Sequence, residues 1–366
     1  MQKPEWKVTA RNEADSVPTT ECVWCLVGLA HPPEFADSCC ASPEEMMPDA
    51  GFSEPTALGL YPAADPVHLA RAGEIARFGE RDEFILRLAV TEEDRLKCWR
   101  LTHIEYMAQG YAKPGGLEYR YSIHDALPDT TTFLIEADGK PVGTVTVFPD
   151  SPLGLPADEI YRREIDGLRA AGRRPVEVGR LAISQEYAHE RSILTNLFDI
   201  LSICARRMHR ADDLVITVNP SHAQFYRRMI LFETAGEPRE LDSVCGAPAV
   251  LLRLDLGREE RSRRYAHGEG PKPADYPGGR TMYPRVSGRI EEESRVQRLR
   301  QFRRRPDGAF IRRYFVWLRP LIPGLSSGLR NFFETCYGDL GRGTWCTDRD
   351  DEGARASGLP AMKAGA

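Results

Sequence analysis

PVEVGRLAIS (175–184), RSILTNLFDILSICARRMHR (191–210), DLVITVNPSHAQFYRRM (213–229) and GAPAVLLRLDL (246–256) follow one another in the chain. Each run has a clear period, and the order strand, helix, strand, helix, strand predicts an α/β domain. The second run is the most regular. Ile193, Leu194, Leu197, Phe198, Leu201, Cys204, Ala205 and Met208 are spaced by three, four and one. That spacing lays one buried stripe along a helix, and Arg206, Arg207 and Arg210 suit the C-terminal end of its dipole. In the third run Asn219-Pro220 offers an N-cap followed by proline at the first helical position, so strand end and helix start are fixed together.

Working outward, FILRLAV (84–90) alternates as a strand, and Thr91 with Asp94 makes a capping-box-like helix start. The helix that follows carries Leu96, Trp99, His103, Tyr106 and Met107 on one face and stops at Gly110. TTFLIEA (131–137), Asp138-Gly139 and PVGTVTVF (141–148) read as two antiparallel strands around a tight turn. A polar helix over 158–171 then leads into PVEVGRLAIS. Residues 1–82 lack sustained periodicity and are rich in Pro, Ala, Gly and Glu, so they read as a largely disordered extension. The periodic signals fill 83–257. Residues 258–366 read as a polar linker and an arginine-rich amphipathic extension with a Gly-rich end.

A chain of 366 residues has room for about two domains at roughly 150 residues each, and 28% charged with 42% hydrophobic residues is ordinary for a globular protein. A net charge of -5 gives no global attraction to nucleic acid, and no nucleic-acid partner is expected. No run of 18 apolar residues and no signal-peptide pattern occurs, so the expected location is cytoplasmic, possibly peripheral at the inner face of the membrane. Nine cysteines, odd in number and widely spaced, fit reduced thiols. Cys22-x-x-Cys25 with Cys39-Cys40 offers four thiolates. The adjacent pair has poor geometry for one tetrahedral site and the usual Gly and His are missing around it, so no metal is expected.

A strand ending in Asn, then a short helix with Phe-Tyr followed by basic residues, resembles the second acyl-donor motif of the GNAT N-acyltransferases. EVGRLAIS, VNPSHAQFYRR and GAPAVLLRLDL together resemble the N-acyl amino acid synthases of that superfamily, which are similar to acyl-homoserine-lactone synthases. The resemblance covers about 84–256. It implies a mixed, splayed GNAT-like sheet flanked by helices. It also implies transfer of a long acyl chain from the phosphopantetheine arm of acyl carrier protein to the α-amine of an amino acid, with no resident cofactor. Two rivals stay open: an acyl-homoserine-lactone synthase, and a non-catalytic GNAT-shaped module that senses an acyl carrier or lipid.

One departure bears on the donor. Where ordinary GNAT enzymes have a Gly-rich turn whose amides hold the CoA pyrophosphate, this chain has QEYAHERS (185–192), with Ala188 and Glu190 in place of glycines. Glu186 and Glu190 would set negative charge beside a pyrophosphate, which favours acyl carrier protein over CoA. Arg206, Arg207, Arg210, Arg227 and Arg228 are candidates to meet that acidic carrier.

The chemistry needs a base for the amine, a polariser for the carbonyl and an acid for the departing thiolate. Glu177 is either that base or the ion-pair partner of Arg180. Tyr226 matches the GNAT tyrosine that protonates the thiolate, or is a core aromatic. Backbone amides around Leu181, Ala182 and Ile183 would polarise the carbonyl and, with Asn219, bind the acyl donor. Arg180 either holds the acceptor's carboxylate or braces Glu177. Asp125 and Asp129 in HDALPD either line the acceptor pocket or only make a turn. Tyr106, Met107 and Tyr111 either cover the acceptor or pack on the core, and His222 reads as a solvated helix-start residue. In the tail, RVQRLRQFRRR (295–305) and FIRRYFVWLRPLIPGLSSGLRNFF (310–333) interleave arginines with aromatics. That pattern suits an anionic membrane surface, carrier docking or simple packing.

Overall fold

A computed structural model describes residues 73–340 except 114, 116, 277–280, 284 and 285. Nine strands form one open, mixed sheet. In chain order they are β1 (Glu74–Phe78), β2 (Phe84–Leu88), β3 (Thr131–Ala137), β4 (Lys140–Pro149), β5 (Pro175–Ile183), β6 (Asp213–Val218), β7 (Glu233–Thr234), β8 (Arg239–Leu241) and β9 (Ala247–Asp255). In space the order is β1-β2-β3-β4-β5-β6-β9-β7, with β8 also on β9. All pairings are antiparallel except β5 with β6.

The helices of the central domain are α1 (Glu92–Ala108), α2 (Asp158–Ala170), α3 (Arg191–Ile203) and α4 (Pro220–Ile230). Strand period two sorts them onto two faces. Val176 and Val178 of β5, Leu214 and Ile216 of β6, and Leu252 and Leu254 of β9 face the stripe of α3, where Ile193, Leu194, Leu197 and Leu201 are buried. The alternate residues Val215 and Leu251 pack on α2 through Tyr161 and Ile165. At the first hairpin Asp138 and Gly139 have φ of 49° and 76°, the two positive values that a type I′ turn needs. Thr91 caps α1 reciprocally with Asp94, and Asn219 caps α4 by accepting from the Ser221 amide at 3.1 Å.

The boundaries read from the sequence shift in two places. The sheet begins at Glu74 and not at 83, because β1 pairs with β2 from Phe78↔Phe84 to Glu74↔Arg87. Residues from 258 on do not start a linker: α5 (Leu256–Ala266) follows β9 directly, capped by Asp255 accepting from the Arg258 amide at 2.9 Å. Then come α6 (Arg289–Phe302), α7 (Gly308–Ile311), a π-helical turn (Arg312–Leu318) and α8 (Ser327–Tyr337). Most aromatics of this tail pack into a core. Phe310, Tyr314, Phe315 and Phe333 are buried with Trp99 of α1 and Tyr121, and the Tyr121 hydroxyl donates to the Tyr314 carbonyl at 2.9 Å.

Its arginines are tied to the body as well: Arg295 to Asp199 at 3.0 Å and Arg303 to Asp129 at 2.8 Å. Trp317 and Leu318 are the large apolar side chains of this turn left exposed, at 66% and 44%. Among the described residues no helix is long and apolar enough to cross a membrane. The extension over 1–72, with Cys22, Cys25, Cys39 and Cys40, lies outside the described residues.

Candidate active site

The parallel pair of the sheet opens into a V. β5 and β6 are in register from Pro175↔Asp213 to Val178↔Ile216. Beyond that point β5 stays with β4 as far as Ile183↔Gly143, while β6 stays with β9 as far as Val218↔Val250. Strand edges facing each other across such a gap have no ladder partner there, so backbone donors are available to a ligand.

A bulge sits at the branch point. Thr146 pairs with Gly179 but Thr144 pairs with Ala182, so Arg180 and Leu181 together oppose Val145. Arg180 takes φ of 56°, a left-handed value rarely adopted by a residue with a side chain. Simple alternation would put Arg180 on the same face as Val178, among the apolar side chains of α3. The inserted residue returns it to the face of Glu177.

Two cavities meet at the V. The larger, about 960 Å³, lies on the face of α1 and α2 and is lined by Glu177, Arg180, Phe148 and His124, among others. The smaller, about 140 Å³, lies toward α3 and α4 and is lined by Leu181, Ile183, Phe198, Asn219, His222 and Tyr226. Tyr106, Tyr111, Gly179, Arg180 and Thr217 line both. The V is therefore open to a cavity on each face of the sheet.

Glu177 is buried at 5% exposure, and burial pushes its carboxyl up to about 8. One oxygen accepts from the Ala157 amide at 2.6 Å. Its expected ion pair with Arg180 is not formed. Arg180 instead bonds Asp125 Oδ2 at 2.7 Å, Ser122 Oγ at 2.8 Å and the Arg120 carbonyl at 2.9 Å, and its guanidinium lies over the Phe148 ring. Asp125 is thus set behind Arg180, also accepting from the Ser122 amide at 2.8 Å, and does not line the cavity. Asp129 lies outside the cavity too, with its side chain 66% exposed and held by Arg303. Both acidic residues of HDALPD are therefore engaged in ion pairs outside the cavity lining.

Tyr226 is buried among Phe198, Phe225 and Phe232, and desolvation raises its hydroxyl well above the ordinary range, so it stays protonated. His222 is buried, not solvated, and its pKa falls to about 4. Tyr111 stacks edge-on against Tyr106 at 5.9 Å. Ala182 is buried in β5 between Leu181 and Ile183.

Of the basic residues meant for a carrier, Arg206 is enclosed by Glu259 at 3.3 Å and Glu292 at 3.1 Å, and Arg207 pairs with Glu293 at 2.9 Å. Arg210, Arg227 and Arg228 stay exposed. Sequence reasoning missed Arg120, Arg319, His124 and the Ala157 amide as parts of the site, because each reaches the cavity through long-range packing.

Within the turn QEYAHERS the amides of Tyr187, Ala188 and Glu190 donate to backbone carbonyls. The Gln185 amide donates to Glu105 of α1, a buried carboxyl that desolvation pushes up to about 7.

A mixed sheet split between two parallel strands, with a buried carboxyl on one side and a protonated tyrosine on the other, is the geometry of a group-transfer site. Residues 97–255 match the family model of the N-acyl amino acid synthase FeeM. The structure of FeeM, an N-acyl amino acid synthase from uncultured soil microbes, is 27% identical over 48% of this chain and 92% of that one, with a TM-score of 0.43. The acyl-homoserine-lactone synthase LasI is 17% identical over 47% of this chain and 90% of its own, with a TM-score of 0.38. BjaI, a CoA-dependent acyl-homoserine-lactone synthase solved with SAM and isopentyl-CoA, is 15% identical over 58% and 97%, with a TM-score of 0.37. No curated protein matches the chain.

Proposed function

We propose that the protein is an N-acyl amino acid synthase that moves a long acyl chain from acyl carrier protein to the α-amine of an amino acid. The observation that carries this reading is the junction of two cavities at the β5–β6 split, with Glu177 on one side and Tyr226 on the other. The amine enters through the larger cavity and attacks the thioester carbonyl. An N–C bond forms, the C–S bond breaks, and the amine's proton passes to Glu177 directly or through a water. Tyr226 gives its proton to the departing thiolate. Amides of Leu181 and Ile183, on the unpaired edge of β5 on either side of Ala182, stabilise the oxyanion. A base of pKa about 8 is matched to an amine far better than an ordinary carboxylate.

The donor assignment is supported by the occupied turn. An anion-binding loop needs several backbone amides free at once. Here the amides of Tyr187, Ala188 and Glu190 are bonded internally, and Glu105 takes the Gln185 amide. A phosphopantetheine arm without the adenosine and pyrophosphate needs no such loop. The exposed Arg227 and Arg228 on α4, the helix that carries Tyr226, are then the docking residues for the acidic carrier. Arg180 positions the acceptor side of the site and Tyr111 covers it. In the cell the enzyme works in the cytoplasm, and any contact of the tail with an anionic membrane narrows to Ile290, Trp317 and Leu318.

The test is incubation with acyl carrier protein and CoA thioesters of matched chain length and a mixture of amino acids, read by mass spectrometry. An N-acyl amino acid formed faster from the carrier is expected. A lactone product would support the homoserine-lactone alternative, and no acylated product would support the sensing module.

A further inference from the structure

The inner wall of the larger cavity holds more positive than negative charge. Arg180 is matched by Asp125. Arg120 and Arg319 have no carboxylate partner among the described residues: Arg120 donates to the Ser243 carbonyl and Arg319 to the Tyr121 carbonyl at 2.7 Å. Each sits over a tyrosine ring, Arg120 4.7 Å from the Tyr106 ring centroid and Arg319 5.0 Å from that of Tyr121. A ring contact and one carbonyl bond hold a guanidinium in place and leave most of its donors free. Both line the cavity. Arg120 also lies close enough to Arg180 and Arg319 to feel their charge, an arrangement that repels itself when empty and is relieved by an anion. Four acids line the same wall, and among the described residues neither Glu159 nor Asp242 forms an ion pair with Arg120 or Arg319. Asp158 is held by Arg169 at 2.6 Å, and Glu177 is a neutral acid at pH 7.

We infer that Arg120 and Arg319 form the carboxylate-binding site of the acceptor, with Arg319 supplied by the C-terminal segment beyond the matched domain. This rests on the acyltransferase reading and deepens it. The acceptor is an amine that carries a carboxylate, and the enzyme discriminates against the same compound as a carboxamide or a plain amine. The tail is then part of the site as well as of the core. Arg180, which the sequence offers for this role, has its donors committed to Asp125, Ser122 and Arg120.

The experiment compares an amino acid with its carboxamide and its decarboxylated amine, for the full chain and for Arg319→Gln, Arg319→Lys and Arg120→Gln. Charge-assisted bidentate bonds predict a preference for the carboxylate of roughly 10- to 100-fold in kcat/KM. Arg319→Gln should raise the KM for the amino acid about tenfold and erase the preference, and Arg319→Lys should restore part of it. Calorimetric titration of each compound without donor reads the same selectivity independently of turnover. Equal use and equal binding of acid and carboxamide by the unmodified protein would overturn the proposal while leaving acyl transfer intact. Carboxylate-selective binding that Arg319→Gln abolishes, in a protein that forms no acyl product, would keep this site and overturn the transferase reading.

Discussion

The two faces of the sheet are held by different forces. On the α3 and α4 face the contacts with the sheet are mainly apolar, with Leu197, Ile200 and Leu214 buried by strict periodicity, while the outer side of α3 is tied to later helices by the buried pairs of Asp199 with Arg263 and Arg295. On the opposite face α1 buries Asp94, Arg95, Thr102 and Glu105 alongside Cys98 and Trp99, and the layer is completed by aromatics from the far end of the chain. The first face is a scaffold that tolerates one hydrophobic residue for another. The second is a polar, long-range assembly, and it is the one that holds Glu177, Arg180 and the larger cavity. A site that must bury a carboxyl and orient guanidiniums needs fixed polar partners, and these have to come from distant sequence.

That contrast can be tested by attacking each layer. The largest effect is expected from ending the chain at Gly257. This removes nearly all of α5 and the whole of α6 to α8 and exposes Trp99 and Tyr121, and it should abolish cooperative thermal unfolding rather than leave a folded, active domain. A sharp melt with native activity from that truncation would show that the tail is dispensable. Phe315→Ala, at a fully buried position, should cost about 3–5 kcal/mol in denaturant unfolding. Asp125→Asn leaves the shape and strands the Arg180 charge, so a loss of about 3 kcal/mol is expected, with a larger fall in turnover than Phe315→Ala gives per unit of stability. If turnover in Asp125→Asn only tracks stability, Arg180 has no positioning role. The smallest effect belongs to the surface: Arg227→Ala with Arg228→Ala should raise the KM for acyl carrier protein several-fold, more at low salt, with thermal stability within about 0.5 kcal/mol of the parent.

The same division explains what could be read from the sequence. Alternation in β5, β6 and β9, the Asp138-Gly139 turn and the Asn219-Pro220 cap are local physics, and each was legible as it stands. The buried face of α1 was not, because Arg87 of β2 makes Asp94 and Glu136 burial-compatible from a neighbouring strand, at 3.4 Å and 2.7 Å. The orientation of Arg180 was hidden by a one-residue bulge that no period reveals. The tail was misleading for a related reason. Arginines interleaved with aromatics look like a surface until Asp199, Asp129 and Glu92 are brought beside them by the fold. Glu177 and Tyr226 were picked out by their motif, whereas Arg120 and Arg319 have no local signal at all.

The central claim is that Glu177 takes the amine's proton in a split between β5 and β6, and the pH dependence of acyl transfer tests it most directly. A buried carboxyl raised to about 8 is neutral below that pH, so turnover at saturating acceptor should climb to a plateau through pH 8. The same shift costs stability progressively from its ordinary pKa upward to about 8, because folding disfavours the ionised form. Glu177→Gln keeps the acceptor oxygen for the Ala157 amide, so the fold should persist and gain stability above pH 8 relative to the parent. Turnover should fall by about 100-fold or more and lose the limb near pH 8. A Glu177→Gln enzyme with unaltered turnover and the same limb would contradict the account and leave Glu177 a structural residue.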